Sequence, residues 1–192
     1  MGRPKSFDVD EVLDRAMGVF WLKGFEASSI EDLVSATGIQ RQSLYGTFGD
    51  KRQLFLKALG RYREQGGRAR AAILAEEAPI RVVLGRLLRR AVDNLEAHGR
   101  RGCLLVNAAS DAPLLDPEIV ELVRDNLKDM EESLWTCLQS AQDRGELGPH
   151  HDPRALARFF LNALYGLNTL GKVVMERDVL EDIVKVSLTI LG

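Results

Sequence analysis

Cysteine and histidine are scarce in this chain of 192 residues, which contains two of the first and three of the second. Cys103 and Cys137 lie far apart and form no C-x-x-C motif, so the sequence predicts neither a disulfide framework nor a zinc site. His150 and His151 precede Asp152 in a loop but lack a further ligand at helical spacing. We therefore expect no metal, no cofactor and a reducing, cytoplasmic compartment.

Proline and long apolar runs are scarce as well. Six prolines and few alternations of Val, Thr and Ile favour an all-α fold over sheets. The longest uncharged apolar run, residues 159–171, has 13 residues, whereas a helix needs about 20 apolar residues to cross a bilayer. The opening residues "MGRPKSFD" lack the apolar core of a signal peptide, so no membrane partner is expected.

The net charge of −2 offers little attraction for nucleic acid, but the charges are unevenly distributed. Residues 41–70 hold eight Lys and Arg against two Asp and Glu, a local excess of +6. A basic face of this kind is typical of a small nucleic-acid-binding module. A solvated helix face would have the same composition.

Capping residues predict three short helices in the first fifty residues, followed by a longer one. The predicted bounds are Asp8 to Gly24, Ser28 or Ser29 to Gly38, and residues 40–48, with Asp50 capping the fourth helix. A Gly-containing turn joins the second and third helices, which is the helix-turn-helix pattern. In that motif the second helix of the pair enters the major groove, so residues 40–48 are the predicted recognition helix.

Beyond residue 70 the pattern changes to longer amphipathic helices, which Pro79, Pro117 and Pro153 open. About nine helices are predicted in all. We expect a helix-turn-helix domain at residues 1–50 and a helical domain at residues 51–192. A helix over residues 51–75 connects them, and its Gly66-Gly67 pair predicts a kink.

Three stretches, "FWLKGFEASSIEDLVSATGI", "LYGTF" and "GDKRQLF", together resemble the TetR family of transcriptional regulators over about the first third of the chain. Two positions depart from the family pattern: Thr47 replaces the usual His, and Gln40 the usual Ser or Thr. The resemblance implies a homodimer with an operator-binding N-terminal domain. It also implies a C-terminal domain for ligand binding and dimerisation.

The first turn of the recognition helix carries side chains suited to base edges. Arg41 matches the acceptor pair of guanine, and Gln40 matches adenine, while Leu44 and Phe48 are predicted to anchor the helix. Arg3 and Lys5 are expected to reach along the DNA as a flexible arm. The predicted DNA-binding residues are Ser28, Ser29, Gln40, Arg41, Gln42, Ser43, Tyr45, Thr47 and Lys51.

The C-terminal helices carry aromatic and amide side chains suited to a small apolar or amphipathic ligand. The predicted ligand pocket is Leu88, Val92, Cys103, Asn107, Trp135, Phe159, Asn162 and Tyr165. Apolar residues of the last two helices predict a four-helix dimer bundle. The predicted interface is Leu156, Phe160, Ala163, Leu167, Leu170, Val174, Leu180, Ile183, Val184 and Leu188.

The sequence thus predicts a repressor that a ligand releases from a pseudo-palindromic operator, and two alternatives remain open. Cys103 follows two arginines, a setting that favours a reactive thiolate and hence redox or electrophile sensing. Alternatively, the chain is a helical ligand-binding protein without DNA affinity. An enzyme is not expected, because "GLNTLGKV" lacks the hydroxyl that a phosphate-binding loop requires at Val173 and no nucleophile motif is present.

Overall fold

The structure is a computed structural model and describes residues 7–111 and 116–192. These residues form nine α-helices and no strand, so the predicted all-α fold is confirmed. The helices are α1 Val9–Ala27, α2 Ile30–Thr37, α3 Arg41–Phe48, α4 Lys51–Leu74, α5 Ile80–Ala97, α6 Leu104–Asp111, α7 Pro117–Asp143, α8 Pro153–Leu170 and α9 Arg177–Thr189. No helix within the described ranges is both long and apolar enough to cross a membrane.

Side-chain caps set the starts of the N-terminal helices. Ser29 begins α2 by accepting the Asp32 N–H at 3.0 Å, and the Asp32 carboxylate accepts the Ser29 N–H at 3.0 Å. Asp8 caps α1, and Asp50 caps α4 by accepting the N–H of Gln53 at 2.8 Å. Because each cap satisfies backbone donors that the helix leaves unpaired, the predicted starts are confirmed, with Ser29 rather than Ser28 at α2.

Two glycines with positive φ shape the ends of α1 and α2. Gly38 ends α2 at φ 72°, as predicted. Gly24, at φ 77°, bends the chain where α1 was predicted to end, but a last turn continues to Ala27. Since only glycine adopts these angles freely, the turn that orients α2 against α1 depends on Gly24.

The first apolar core holds the N-terminal helices together. Phe20 is completely buried, and its ring centroid lies 5.0 Å from that of Phe55 on α4. Residues much later in the chain complete this core, namely Leu104, Leu105, Ala108, Ile119 and Val123. The boundary predicted at residue 50 therefore marks a change of sequence motif, but residues on both sides of it pack into one core.

The second apolar core lies among α5, α7, α8 and α9. The connecting helix α4 reaches both cores, with Leu54 and Phe55 in the first and Ile73 and Leu74 against the second. Its 24 residues span about 36 Å. The helix continues through Gly66-Gly67 without interruption, and the kink at this pair stays a prediction.

Candidate DNA-reading face and effector cavity

Helix α3 separates its apolar anchors from its polar residues. Leu44 and Phe48 are buried, as predicted, and fix the helix against the first core. Arg41, Gln42 and Ser43 are exposed on the other side. The first turn of α3 is thus a polar edge on a firmly packed helix, which is the geometry that base reading requires.

The side chains at the start of α3 are available for contacts outside the subunit. The Arg41 guanidinium carbon lies 5.5 Å from the Tyr45 ring centroid, and Arg41 has no hydrogen bond or ion pair with any described residue. Gln40 takes the N-cap position, yet its side chain makes no capping bond. Its amide therefore remains exposed and uncommitted.

Lys51 lies beside this edge, and its ammonium contacts the end of α1. Its ammonium donates to the Glu26 carbonyl at 3.3 Å and sits 4.5 Å from the Phe25 ring centroid. An ammonium has three donors, so two remain for a phosphate. The sequence did not indicate Lys57, whose ammonium donates to the Phe48 carbonyl at 3.0 Å and ties the end of α3 to α4.

The two serines before α2 have different environments. Ser28 is 2% exposed and donates to the Gly24 carbonyl at 2.5 Å, so its predicted contact with DNA phosphate is wrong: the hydroxyl is turned inward. Ser29 is exposed at the start of α2, where free N–H groups favour an anion. The predicted arm residues Arg3 and Lys5 lie outside the described residues.

An ion pair supports the α2 cap. The Lys23 ammonium lies 2.6 Å from Asp32 Oδ1, and together with the Ser29 N–H and hydroxyl it lowers the pKa of the Asp32 carboxyl to about 2. In the unfolded chain this carboxyl takes up a proton near pH ~3.9. Because the folded-state pKa is the lower one, the stabilisation is complete above about pH 4 and is lost as the pH falls toward 2.

The variant Asp32→Asn is therefore expected to be less stable than the wild type above pH 4, with the difference shrinking as the pH approaches 2. Urea unfolding at several pH values measures it. Glu31→Gln changes the exposed neighbour and serves as the control. A stability difference for Asp32→Asn that stays constant from pH 6 to pH 2.5 would contradict the assignment.

Much of the positive charge in the basic run of residues 41–70 is paired within the subunit, which leaves less of it free for nucleic acid than the composition indicated. Four of its arginines form ion pairs: Arg52 with Asp116 and Glu118, Arg61 with Asp14, Arg63 with Asp129, and Arg68 with Glu64. Lys51 and Lys57 bind backbone carbonyls. Within the described ranges, Arg41 and Arg70 are the members of the run without a hydrogen bond or ion pair.

A cavity of about 100 Å³ lies between α4 and the C-terminal helices. Its walls come from α4, α5, α6, α7 and α8. Two predicted ligand residues, Cys103 and Tyr165, line it. Arg70, Asn126 and Tyr62 also line it and were missed, although Asn126 interrupts the apolar spacing of α7 and could have been noticed.

The other predicted pocket residues lie elsewhere. Leu88 and Val92 are fully buried in the second core, and Asn107 binds the Arg101 carbonyl and the Lys172 ammonium. Trp135 packs under the Arg154 guanidinium, 4.2 Å from ring centroid to guanidinium carbon. Phe159 and Asn162 are exposed on the outer face of α8. None of these six side chains lines the cavity, and their predicted ligand role stays a prediction.

A larger groove of about 1110 Å³ runs between the end of α4 and α7. Its lining residues are mostly exposed, and Glu76, Glu132 and Glu146 lie among them. It is a surface depression. The smaller cavity is the one that contains buried polar atoms without partners.

The outer faces of α8 and α9 carry apolar residues in two parallel stripes. Each stripe has the spacing i, i+4, i+7, i+11. The first consists of Phe159, Ala163, Gly166 and Leu170 on α8, and the second of Val179, Ile183 and Val186 on α9 together with Ile190 at its C-cap. Most residues of the predicted interface lie off these stripes. Six of them are buried in the subunit's own core and expose at most 5% of their surface: Leu156, Phe160, Leu167, Leu180, Val184 and Leu188.

The helix-turn-helix consists of capped α2, the turn at Gly38 and the exposed first turn of α3. An all-helical domain follows it. This combination defines a DNA-binding regulator. The family model "Bacterial regulatory proteins, tetR family" matches residues 12–58. The model "Tetracyclin repressor-like, C-terminal domain" matches residues 84–186. The chain belongs to the TetR family of transcriptional regulators.

Relatives match the chain over its whole length. An uncharacterized HTH-type transcriptional regulator of Bacillus subtilis, YezE, is 38% identical and aligns over 100% of both chains. The HTH-type transcriptional repressor ComR of Escherichia coli is 31% identical, over 99% of this chain and 90% of its own. A cysteine-substituted form of the regulator CifR, complexed with 26 bp operator DNA, superposes with a TM-score of 0.88 at 32% identity, over 100% of both chains.

Proposed function

We propose that the protein is a cytoplasmic homodimeric repressor that a small effector in the C-terminal domain releases from a pseudo-palindromic operator. The observation that carries this proposal is the exposed, uncommitted polar turn of α3 on its two buried anchors. The operator complex of CifR and the naming of ComR as a transcriptional repressor support it. Residues 1–50 would read the DNA, and residues 51–192 would bind the effector and the second subunit.

The DNA contacts divide between base edges and phosphates. Gln40, Arg41, Gln42 and Ser43 would face the major groove, with Arg41 donating to guanine. Ser29, Tyr45, Thr47 and Lys51 would bind the phosphate backbone, which positions the helix without reading sequence.

The second subunit would cover the two apolar stripes of α8 and α9. Pairing these stripes about a two-fold axis makes a four-helix bundle, in which the same patch of each copy meets its counterpart. The two α3 helices would then lie about one turn of DNA apart, ~34–36 Å, on a pseudo-palindromic site. This arrangement would cover Val186, an apolar side chain that is 68% exposed in the single subunit.

Contacts at the junction between the domains would carry the effector's signal. The Trp21 indole N–H of α1 donates to the Gly102 carbonyl at 3.1 Å, and its ring meets Tyr62 edge-on at 5.1 Å. Gly102 precedes Cys103, and Tyr62 and Cys103 both line the cavity. By linkage, an effector that weakens operator binding must itself bind the operator complex more weakly, by the same factor.

Two variants test the reading of DNA by α3. Arg41→Ala should cost about 1–3 kcal/mol on the preferred operator and relax the preference at one base pair, because a bidentate base contact is lost. Lys51→Ala should weaken binding to all DNA sequences alike and should reduce the slope of log binding constant against log salt concentration by about 1. Selection from random DNA, followed by fluorescence anisotropy at several salt concentrations, measures both effects. Equal losses with unchanged base preference in both variants would disprove the assignment.

A further inference from the structure

Arg70 is the second unpaired arginine of the basic run, and it lies far from the DNA-reading edge. It stands near the end of α4, about 28 Å along the helix from Lys51. Its guanidinium folds back over α4 in the space that two glycines leave open. A Cβ on Gly66 would lie 3.2 Å from Arg70 Nη1, and one on Gly67 would lie 3.8 Å from Nη2.

Burial makes the lack of a counter-ion unfavourable for Arg70. Withdrawal from water lowers the pKa of its guanidinium, since a desolvated charge is unstable without a partner. The carboxylate of Asp129 lies near Arg70 at the outer surface but is paired with Arg63. Among the residues that the structure describes, no other carboxylate bonds Arg70, and an anionic ligand would supply the missing charge.

Two further polar groups in the same cavity lack partners. The Tyr165 hydroxyl and Asn126 Oδ1 are both buried without a hydrogen bond, and Asn126 is 3% exposed. Burial raises the pKa of Tyr165 to about 12, although the nearby Asn126 amide opposes the rise. Tyr165 therefore remains a neutral hydroxyl that can donate a hydrogen bond, and Asn126 Oδ1 can accept one. Buried polar atoms are rarely left unsatisfied.

The size and walls of the cavity limit what can bind. About 100 Å³ is less than the ~150 Å³ that accommodates benzene, so the ligand has no more heavy atoms than benzene, at most about six. Leu87, Ala91, Leu105 and Met130 supply apolar wall. The ligand must therefore combine an anionic group, one hydrogen-bond donor and a short apolar part.

We propose that this cavity binds a compact hydroxy-monocarboxylate, whose carboxylate accepts from Arg70 and Tyr165 and whose hydroxyl donates to Asn126 Oδ1. This inference rests on the proposed function in that it names the chemical class of the effector. Two nitrogens of a guanidinium and two oxygens of a carboxylate match in a planar, bidentate pair. The carboxylate would supply the counter-charge that Arg70 does not find among the described residues.

Calorimetric titration of the full-length protein with lactate, lactamide and propionate tests the class of ligand. Lactate has the charge, the hydroxyl and the size that the cavity requires. Lactamide keeps the size and hydroxyl but loses the charge, and propionate loses the hydroxyl. We expect lactate to bind at least tenfold more tightly than either. No binding of lactate, or equal binding of lactate and lactamide, would overturn the proposal.

Variants on one helix test the site. Arg70→Gln should weaken lactate binding at least tenfold, whereas Arg68→Gln, on an exposed arginine paired with Glu64, should leave it unchanged. Tyr165→Phe keeps the ring and should weaken lactate binding severalfold. It tests the site independently if Arg70→Gln does not fold. Thermal unfolding without ligand reports whether each variant folds. Wild-type affinity in folded Arg70→Gln or in Tyr165→Phe would refute the contacts.

The two cysteines locate the bound ligand. Cys103 lines the cavity and Cys137 lines the outer groove, and both thiols are half-buried. Lactate should slow alkylation of Cys103 by N-ethylmaleimide and leave Cys137 unchanged. Protection of Cys137 alone would place the ligand in the groove and refute the cavity.

These binding measurements use no DNA, so their outcome does not depend on whether the protein is a repressor. If lactate binds through Arg70 but leaves the operator complex intact, the ligand class is correct and effector release is wrong. If another compound releases the operator and lactate does not bind, only the ligand class is wrong.

Discussion

Val186→Glu is expected to convert the protein to a monomer and to weaken operator binding about a thousandfold, the lower end of typical specific enhancements. Val186 lies in the middle of the α9 stripe with 68% of its surface exposed. In a two-fold interface the substitution occurs on both copies, so two carboxylates would be buried in one apolar contact. A monomer would retain the contacts of one half-site only.

Light scattering after size-exclusion chromatography measures the mass, and fluorescence anisotropy measures operator affinity. Thr136→Glu adds the same charge to an exposed position of α7, in the outer groove, and should remain a dimer with wild-type affinity. A dimeric Val186→Glu that binds the operator normally would show that the second subunit covers another face.

Phe20→Ala is expected to destabilise the protein by about 3–5 kcal/mol, the range for truncating a buried aromatic side chain. Phe20 has no exposed surface, and its ring lies against Phe25 and Phe55. The resulting cavity would lie in the core that supports α2 and α3. Operator binding should therefore weaken in proportion to the unfolded fraction.

Urea unfolding measures this loss. Leu22→Ala is the matched control, because Leu22 is 64% exposed and its truncation removes little buried area. A change of less than about 1 kcal/mol for Phe20→Ala would mean that the core collapses around the missing ring.

The helix-turn-helix could be predicted from sequence because its determinants are local. Ser29 and Asp32 cap α2 through each other, and Gly38 ends it in a conformation that glycine adopts readily. Leu44 and Phe48 lie four residues apart, so one helical face buries both. Ser28 was the exception: adjacent serines look alike in sequence, and only the bend at Gly24 turns one inward.

The faces of α8 and α9 could not be assigned in the same way. Both helices carry two apolar stripes, and periodicity does not show which stripe meets the subunit's own core. Phe160 and Phe159 illustrate this, since the first is fully buried and its neighbour is exposed. The packing of α8 on α7 and of α9 on α5 decides the orientation.

The cavity depends on side chains from five helices, which no local pattern brings together. The pairing of charges was equally hidden, because Arg52 finds Asp116 and Arg63 finds Asp129 across long stretches of chain. In sequence the basic run looks uniform. In the structure it separates into paired arginines and two unpaired ones with different surroundings.

The sharing of the first core between distant segments has a consequence for protein engineering. Leu104, Leu105 and Ile119 belong to the same core as Phe20 and Leu44, so residues 1–50 do not contain their own interior. A fusion that transplants only those residues onto another dimerisation scaffold would expose apolar surface and lose the angle of α3. Recombination between relatives would need to exchange α6 and the start of α7 together with the reading helices.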